Sequence, residues 1–266
     1  MAITALHTAA TGMQALSTKI DVIANNIANA DTVGFKSSRV NFQDLLYQIR
    51  SQPGVKTGTT TANPLGTQIG LGVAVSNTQI LFRQGSVIPT GIPIDAAIQG
   101  DGLFQVDLGD GRIGYTRAGN FVRNAEGDLV FGDSVGYRLE PAINIPREIP
   151  VEHISIGSNG VVSYIDQSGA VQEAGQLQLA RFANPGGLIQ FGTNKYLQSG
   201  SSGEPELGNP GENGFGTLLG GTLELSTTEA VSELVELIKT QRVFQMNSQS
   251  IETADESLQV VANLRR

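Results

Sequence analysis

The chain has 266 residues, 25 acidic against 17 basic side chains, a net charge of −8 and a pI near 4.8. It carries no basic cluster, which argues against nucleic acid or an anionic membrane surface as a partner. Cysteine is absent, which excludes disulfides and thiolate metal sites, and no apolar run approaches the ~18 residues that span a membrane.

The first element is a helix over about Leu6 to Ala30. Leu6, Met13, Ile20 and Ile27 recur every seven residues, and Ala9, Leu16, Ile23 and Ala30 follow each of them by three. This a/d pattern predicts a coiled-coil seam. The flanking e and g positions hold Ala5, Ala10, Gly12, Ser17, Ala24 and Asn26, where a solvated coiled coil carries Glu and Lys. Between Met1 and Ala30 the charged side chains are Lys19 and Asp21 alone, so the helix is expected to be covered by other chains. No basic stretch precedes it, and His7, Thr8, Thr11 and Gln14 interrupt its apolar residues. The sequence therefore does not read as a cleaved secretory signal.

The helix is expected to stop near Asn29 to Val33. Asn25, Asn26 and Asn29 lie off the seam, where their amides either hydrogen-bond across a subunit contact or, with Gly34, end the helix. Val40 to Arg50 reads as a short helix or an extended arm. Phe42 and Leu46, four apart, suit core packing. Ser51 to Gly66, with Pro53, Gly54, Gly58, Pro64 and Gly66 among threonines, has no periodicity and reads as a long loop.

Residues 77 to 197 alternate like strands. Phe104, Val106 and Leu108 lead into an Asp110–Gly111 turn, Glu126–Gly127 separates two further strands, and Asn159–Gly160 another pair. This spacing predicts an antiparallel barrel or sandwich. Residues 198 to 225, rich in glycine with Pro205 and Pro210, read as a return linker. The last element is a helix from about Thr227 to Leu264, with a capping box from Ser226 to Glu229 and Arg265 and Arg266 suited to its dipole. At 1.5 Å per residue it is about 55 Å long. Leu237, Phe244, Ile251 and Leu258 recur every seven residues, with Ala254 and Val261 at the d offset. Two terminal helices with matching seams predict an intrachain pair around an inserted middle.

No nucleophile elbow, HExxH or P-loop is present, His7 and His153 lie in different regions, and the Asp-Gly pairs are explained by hairpin turns. The chain is expected to be no enzyme and to hold no metal or cofactor.

The segment from Asp21 to Lys36 resembles the N-terminal signature of the bacterial flagellar rod and hook family, carried by Ala24, Asn25, Asn26, Asn29, Thr32, Gly34, Phe35 and Lys36. Asp44 to Gln48, the Pro53–Gly54 pair and Gln68 to Val73 resemble the distal-rod branch. Asp95 to Val106, Tyr115 to Phe121 and Glu233 to Arg242 are similar to its β domain and C-terminal helix. Gly220 to Glu224 departs from the usual Gln-Gly-aromatic string, and Phe244 stands where Tyr is common. The resemblance implies an α+β fold in which the two long helices form a coiled-coil domain around the inserted β-rich domain. The expected boundaries are 1–45, 46–76, 77–197, 198–225 and 226–266.

It also implies a structural subunit that polymerises helically into the distal rod, with the 46–76 insertion separating a stiff rod from a bendable hook. The implied partners are identical copies, proximal rod proteins, the hook or its junction protein, and the L- and P-ring bushing proteins. Export would run through the flagellar type III apparatus to the periplasmic basal body, with Phe42 and Leu46 as a candidate export-gate motif. A proximal rod subunit, or a secreted β-rich binding module with helical tails, are the alternatives.

Overall fold

The computed structural model describes residues 2–52 and 65–264. The expected loop core at 53–64 and the dipole partners Arg265 and Arg266 lie outside the described residues. The chain divides into two compact units. The first joins residues 1–28, 38–79 and 229–266, and the second joins 29–37 and 80–228.

The first unit is built on two helices, α1 (Ala2–Ala28) and α2 (Ala230–Leu264). They tolerate many Ser and Thr because the hydroxyls bond back to carbonyls one turn earlier. Thr8 to Thr4, Thr18 to Gln14, Thr240 to Glu236 and Ser257 to Thr253 are examples. The start of α2 differs from the expected capping box. Ser226 Oγ accepts from the Thr228 amide at 3.1 Å, and the first helical bond runs from the Glu233 N–H to the Glu229 carbonyl.

The unit also holds β1 (Ser38–Asp44), β2 (Tyr47–Ser51), β3 (Thr67–Gly70) and β4 (Val73–Ile80), paired β1–β4 and β2–β3. Of the two readings of Val40 to Arg50 the extended arm is the one found, and within the expected helical segment 1–45 the helix covers Ala2–Ala28. Val40, Phe42, Tyr47 and Ile49 favour strand over helix. The Arg39 guanidinium donates to Gln79 Oε1 at 2.8 Å and Asn41 to Asn77 at 2.7 Å across the β1–β4 pair.

The second unit contains the strands β5 (Val87–Pro89), β6 (Ala96–Gln99), β7 (Leu103–Asp107), β8 (Ile113–Thr116), β9 (Phe121–Arg123), β10 (Leu129–Phe131) and β11 (Arg138–Glu140). They continue as β12 (Ile154–Ile156), β13 (Val161–Ile165), β14 (Val171–Gln176), β15 (Leu179–Arg181), β16 (Ile189–Gly192) and β17 (Lys195–Leu197). The last three are β18 (Glu206–Gly208), β19 (Thr217–Gly220) and β20 (Thr222–Glu224). A nine-stranded sheet runs β16-β17-β8-β7-β11-β10-β9, with β15 against β7 and β18 against β15. It is an open path rather than a closed barrel. The three-stranded sheet β12-β13-β14 and the pairs β6–β19 and β5–β20 complete the unit, all antiparallel.

Residues 198–225 are therefore not a free linker. They supply β18 to β20, which pair with β15, β6 and β5. Their glycines obscure a strand pattern whose partners lie far away in sequence.

The core follows from β7, which buries both faces. Phe104 and Val106 join Phe121, Leu129, Leu139 and Leu179 in the larger cluster, while Leu103 turns to Tyr115, Ala180, Phe182 and Tyr196 in a second. Phe104 meets Phe121 edge to face at 5.0 Å, and Tyr115 meets Phe182 at 4.8 Å. Each fully buried large apolar side chain contributes about 1.5–3 kcal/mol.

Candidate assembly surface

The two helices run antiparallel within their unit. Gly12 faces Asn247, Lys19 Nζ donates to Glu236 Oε1 at 2.5 Å, and Asn26 Nδ2 reaches Glu233 Oε1 at 3.3 Å. On α2 the half-buried line passes through Glu233, Leu237, Thr240, Phe244, Asn247, Ile251 and Ala254, and Leu258 lies exposed at its end. The spacing that set Leu237, Phe244 and Ile251 in register thus also places Thr240 and Asn247 on the inward face. Those two were missed because they are polar; only their position in the seven-residue repeat marks them.

On α1 the buried positions are Ala9, Gly12, Ala15, Ile23 and Asn26. Leu6, Met13, Leu16, Ile20 and Ile27 are half-buried, and Ala24 and Asn25 are exposed. The inward face is therefore rotated toward Gly12 and Asn26, positions expected on the rim. Small residues explain the rotation. A Cβ on Gly12 would stand 3.0 Å from Asn247 Nδ2, so the Asn247 side chain would have to give way to it.

Asn26, 2 % exposed, has an intrachain task rather than an intersubunit one. Its Nδ2 donates to the Ser38 carbonyl at 2.8 Å, and its Oδ1 accepts from the Ser38 N–H at 3.0 Å. The side-chain amide thereby mimics one rung of a β-ladder and fixes the entry to β1.

The outer face of α2 carries Val231, Leu234, Val235, Ile238 and Met246, from 44 % to 78 % exposed. Leu46 at 84 % and Phe42 at 40 % are exposed as well, on β1 and the turn into β2. The core-packing reading of that pair does not hold, because the strand turns the helical i, i+4 relation into two surface positions. Glu236 is held below its ordinary carboxylate value chiefly by the Lys19 hydrogen bond, with burial opposing it.

In the second unit the rest of the signature closes a buried charge cluster. Thr32 bonds Asn29 through its hydroxyl at 3.1 Å. Gly34 has φ +68°, and a Cβ there would meet the Ala118 backbone at 2.6 Å, so glycine is required by both conformation and space. Phe35 and Lys36 are buried. Lys36 Nζ donates to the Arg83 carbonyl and to Glu224 Oε1, the latter at 2.7 Å. Glu224, fully buried, also accepts from the Gly85 N–H at 2.7 Å and from Arg117 Nε at 2.6 Å. The remaining Arg117 nitrogens donate to the carbonyls of Gly102, Ile98 and Gly100.

Burial pushes the Lys36 ammonium below its usual value, Glu224 pulls it back up, and Arg117 adds to the lowering. Arg117 and Glu224 lay in strings singled out from the sequence, but nothing local pairs residues separated by 107 positions. A second buried ion pair, Lys195 with Asp133 at 2.5 Å, sits with its ammonium 4.3 Å from the Tyr137 ring centre.

Among the described residues, no three His, Asp or Glu side chains are placed to hold a metal ion, and no helix is long and apolar enough to cross a membrane.

Comparison with known proteins places these features. Residues 6–36 match the family described as "Flagella basal body rod protein", residues 97–164 the "Flagellar hook protein FlgE/F/G D1 domain", and residues 219–264 the "Flagellar basal body rod FlgEFG protein C-terminal". The "Flagellar basal-body rod protein FlgG" of Borreliella burgdorferi is 40% identical over 98% of both chains. That of Caulobacter vibrioides is 44% identical over 98% of this chain and 99% of its own. The Bacillus subtilis protein is 42% identical over 98% of each.

Proposed function

Because this chain belongs to the flagellar basal-body rod family, we propose that it is a structural subunit of the distal rod, polymerising helically to pass torque toward the hook. It carries no catalytic role. The observation that carries the reading is the apolar outer face of α2 from Val231 to Met246, which a lone chain leaves in water. A heterologous contact that buries this face and does not close a ring gives an open filament.

In the filament, the seam of Leu6, Met13, Leu16, Ile20, Ile23, Ile27, Leu237, Phe244, Ile251 and Leu258 joins α1 and α2 within each copy, and the helices of neighbouring copies pack around that pair to complete a coiled-coil layer. The β-rich unit supplies further contacts. Its neighbours are the proximal rod proteins, the hook or its junction protein and the bushing rings, in the periplasmic basal body. It reaches that place through the flagellar type III apparatus, and exposed Phe42 and Leu46 are available to the export gate.

Sedimentation and electron microscopy of the purified chain test the reading. The wild type is expected to form filaments. Ile238→Asp is expected to abolish them while leaving thermal unfolding of the β-rich unit unchanged. A fully ordered, protease-resistant monomer at high concentration contradicts the reading.

A further inference from the structure

We propose that the cleft over the Lys36–Glu224–Arg117 cluster is a carboxylate site, filled in the filament by an acidic side chain of a second copy of this chain. The inference rests on the polymerisation proposed above and names one contact within it.

The first support is an imbalance of charge. Lys36 and Arg117 share one carboxylate, Glu224, and the three side chains are 2 %, 6 % and 0 % exposed. Two cations against one anion leave one positive charge without a counter-ion, held by backbone carbonyls of Arg83, Gly102, Ile98 and Gly100. The second support is a cavity of about 340 Å³ lined by these two cations and open beside them. Phe82, Leu103 and Phe182 line it too, and they suit the methylene stem of a Glu or Asp.

The third support is Arg83. It lines the cleft, is exposed, and its guanidinium has no hydrogen bond or ion pair among the described residues. Arg181, also in the lining, is already matched by Glu206 at 2.8 Å. Asp101 is the acid of the lining, so the cleft retains a positive excess within a chain of net charge −8. A second copy, with 25 acidic residues, is the source of carboxylate that a polymer brings close at every contact.

The experiment compares full-length wild type, Arg83→Glu, Arg83→Gln and Arg83→Lys by sedimentation and electron microscopy, with thermal unfolding as the check on folding. Arg83 is exposed, so all four are expected to melt alike. Arg83→Glu is expected to raise the critical concentration for assembly at least about tenfold, and Arg83→Lys by less than about threefold. Sodium chloride is expected to raise the wild-type critical concentration, with a flatter dependence for Arg83→Gln.

Normal assembly of Arg83→Glu overturns the proposal. So does a result in which inorganic phosphate raises the wild-type melting temperature while Arg83→Glu assembles normally, since the cleft would then serve a free anion. A wild type that never assembles overturns the rod-subunit reading and this one together, whereas assembly indifferent to Arg83 overturns this one alone.

Discussion

The two units of the chain spend their apolar residues in opposite ways. In the β-rich unit Phe104, Leu129, Val162 and Leu179 are at most 1 % exposed, and even the charges of Lys36 and Glu224 are enclosed and paired. In the helical unit Val231, Leu234 and Met246 are at least half exposed, and the inward face of α2 is only half-buried apart from Thr240. The first pattern is that of a unit stable alone. The second is that of a surface awaiting company, since a helix gains its stability from packing an apolar face rather than from propensity. The difference teaches that the β-rich unit closes its own apolar core, whereas the helical unit leaves its apolar outer face to assembly.

That division can be broken from either side. The largest effect is expected from Glu224→Gln, which leaves Lys36 and Arg117 buried without a full counter-charge. Chemical denaturation should show a loss of about 3–5 kcal/mol, confined to the β-rich unit. A loss below about 1 kcal/mol would mean that the cluster is hydrated and the unit less closed than its burial indicates.

A middle effect is expected from Asn26→Ala, which removes both bonds to the Ser38 backbone. The cost should be about 1–3 kcal/mol, read as faster hydrogen exchange at the Ser38 amide with the β7 and β10 amides unchanged. Slowed assembly alongside it would sharpen the comparison by tying the entry of β1 to the helical unit.

The smallest effect concerns the Lys19–Glu236 contact. Glu236 has its folded pKa lowered from 4.5, so the contact stabilises above that value and its contribution is lost as pH falls through the lower folded one. Glu236 is 42 % exposed, and such pairs contribute under about 1 kcal/mol. A pH titration of helix content in wild type and Glu236→Gln should therefore differ only slightly, and only above the acid limb.

Much of this was legible in the chain. The seven-residue spacing of Leu237, Phe244 and Ile251 marks the inward line of α2 because a helix repeats its faces almost every seven residues. The alternation at Phe104 and Val106 marks β7, and the Asp110–Gly111 and Asn159–Gly160 turns mark its hairpin and that of β12 with β13. What was not legible has physical causes. The i, i+4 relation of Phe42 and Leu46 fits a helix, yet the pairing of β1 with β4 outweighs it. The rotation of α1 toward Gly12 and Asn26 depends on how closely α2 can approach, which no single helix records. The glycines of 198–225 carry no side-chain pattern, so strands held by distant partners looked like a tether. The enclosed charges were unreadable because Lys36 and Glu224 meet across 188 positions of sequence.

The helical unit is assembled from residues 1–28, 38–79 and 229–266, and Lys19 meets Glu236 across 217 positions. Whatever is made or threaded first must wait for what comes last before α1 has its neighbour. A product truncated between β20 and α2 keeps the strands of its β core, yet it offers an orphaned helix. Only a molecule that includes α2 presents the outer face that others can join, so the geometry holds joining back until α2 is in place.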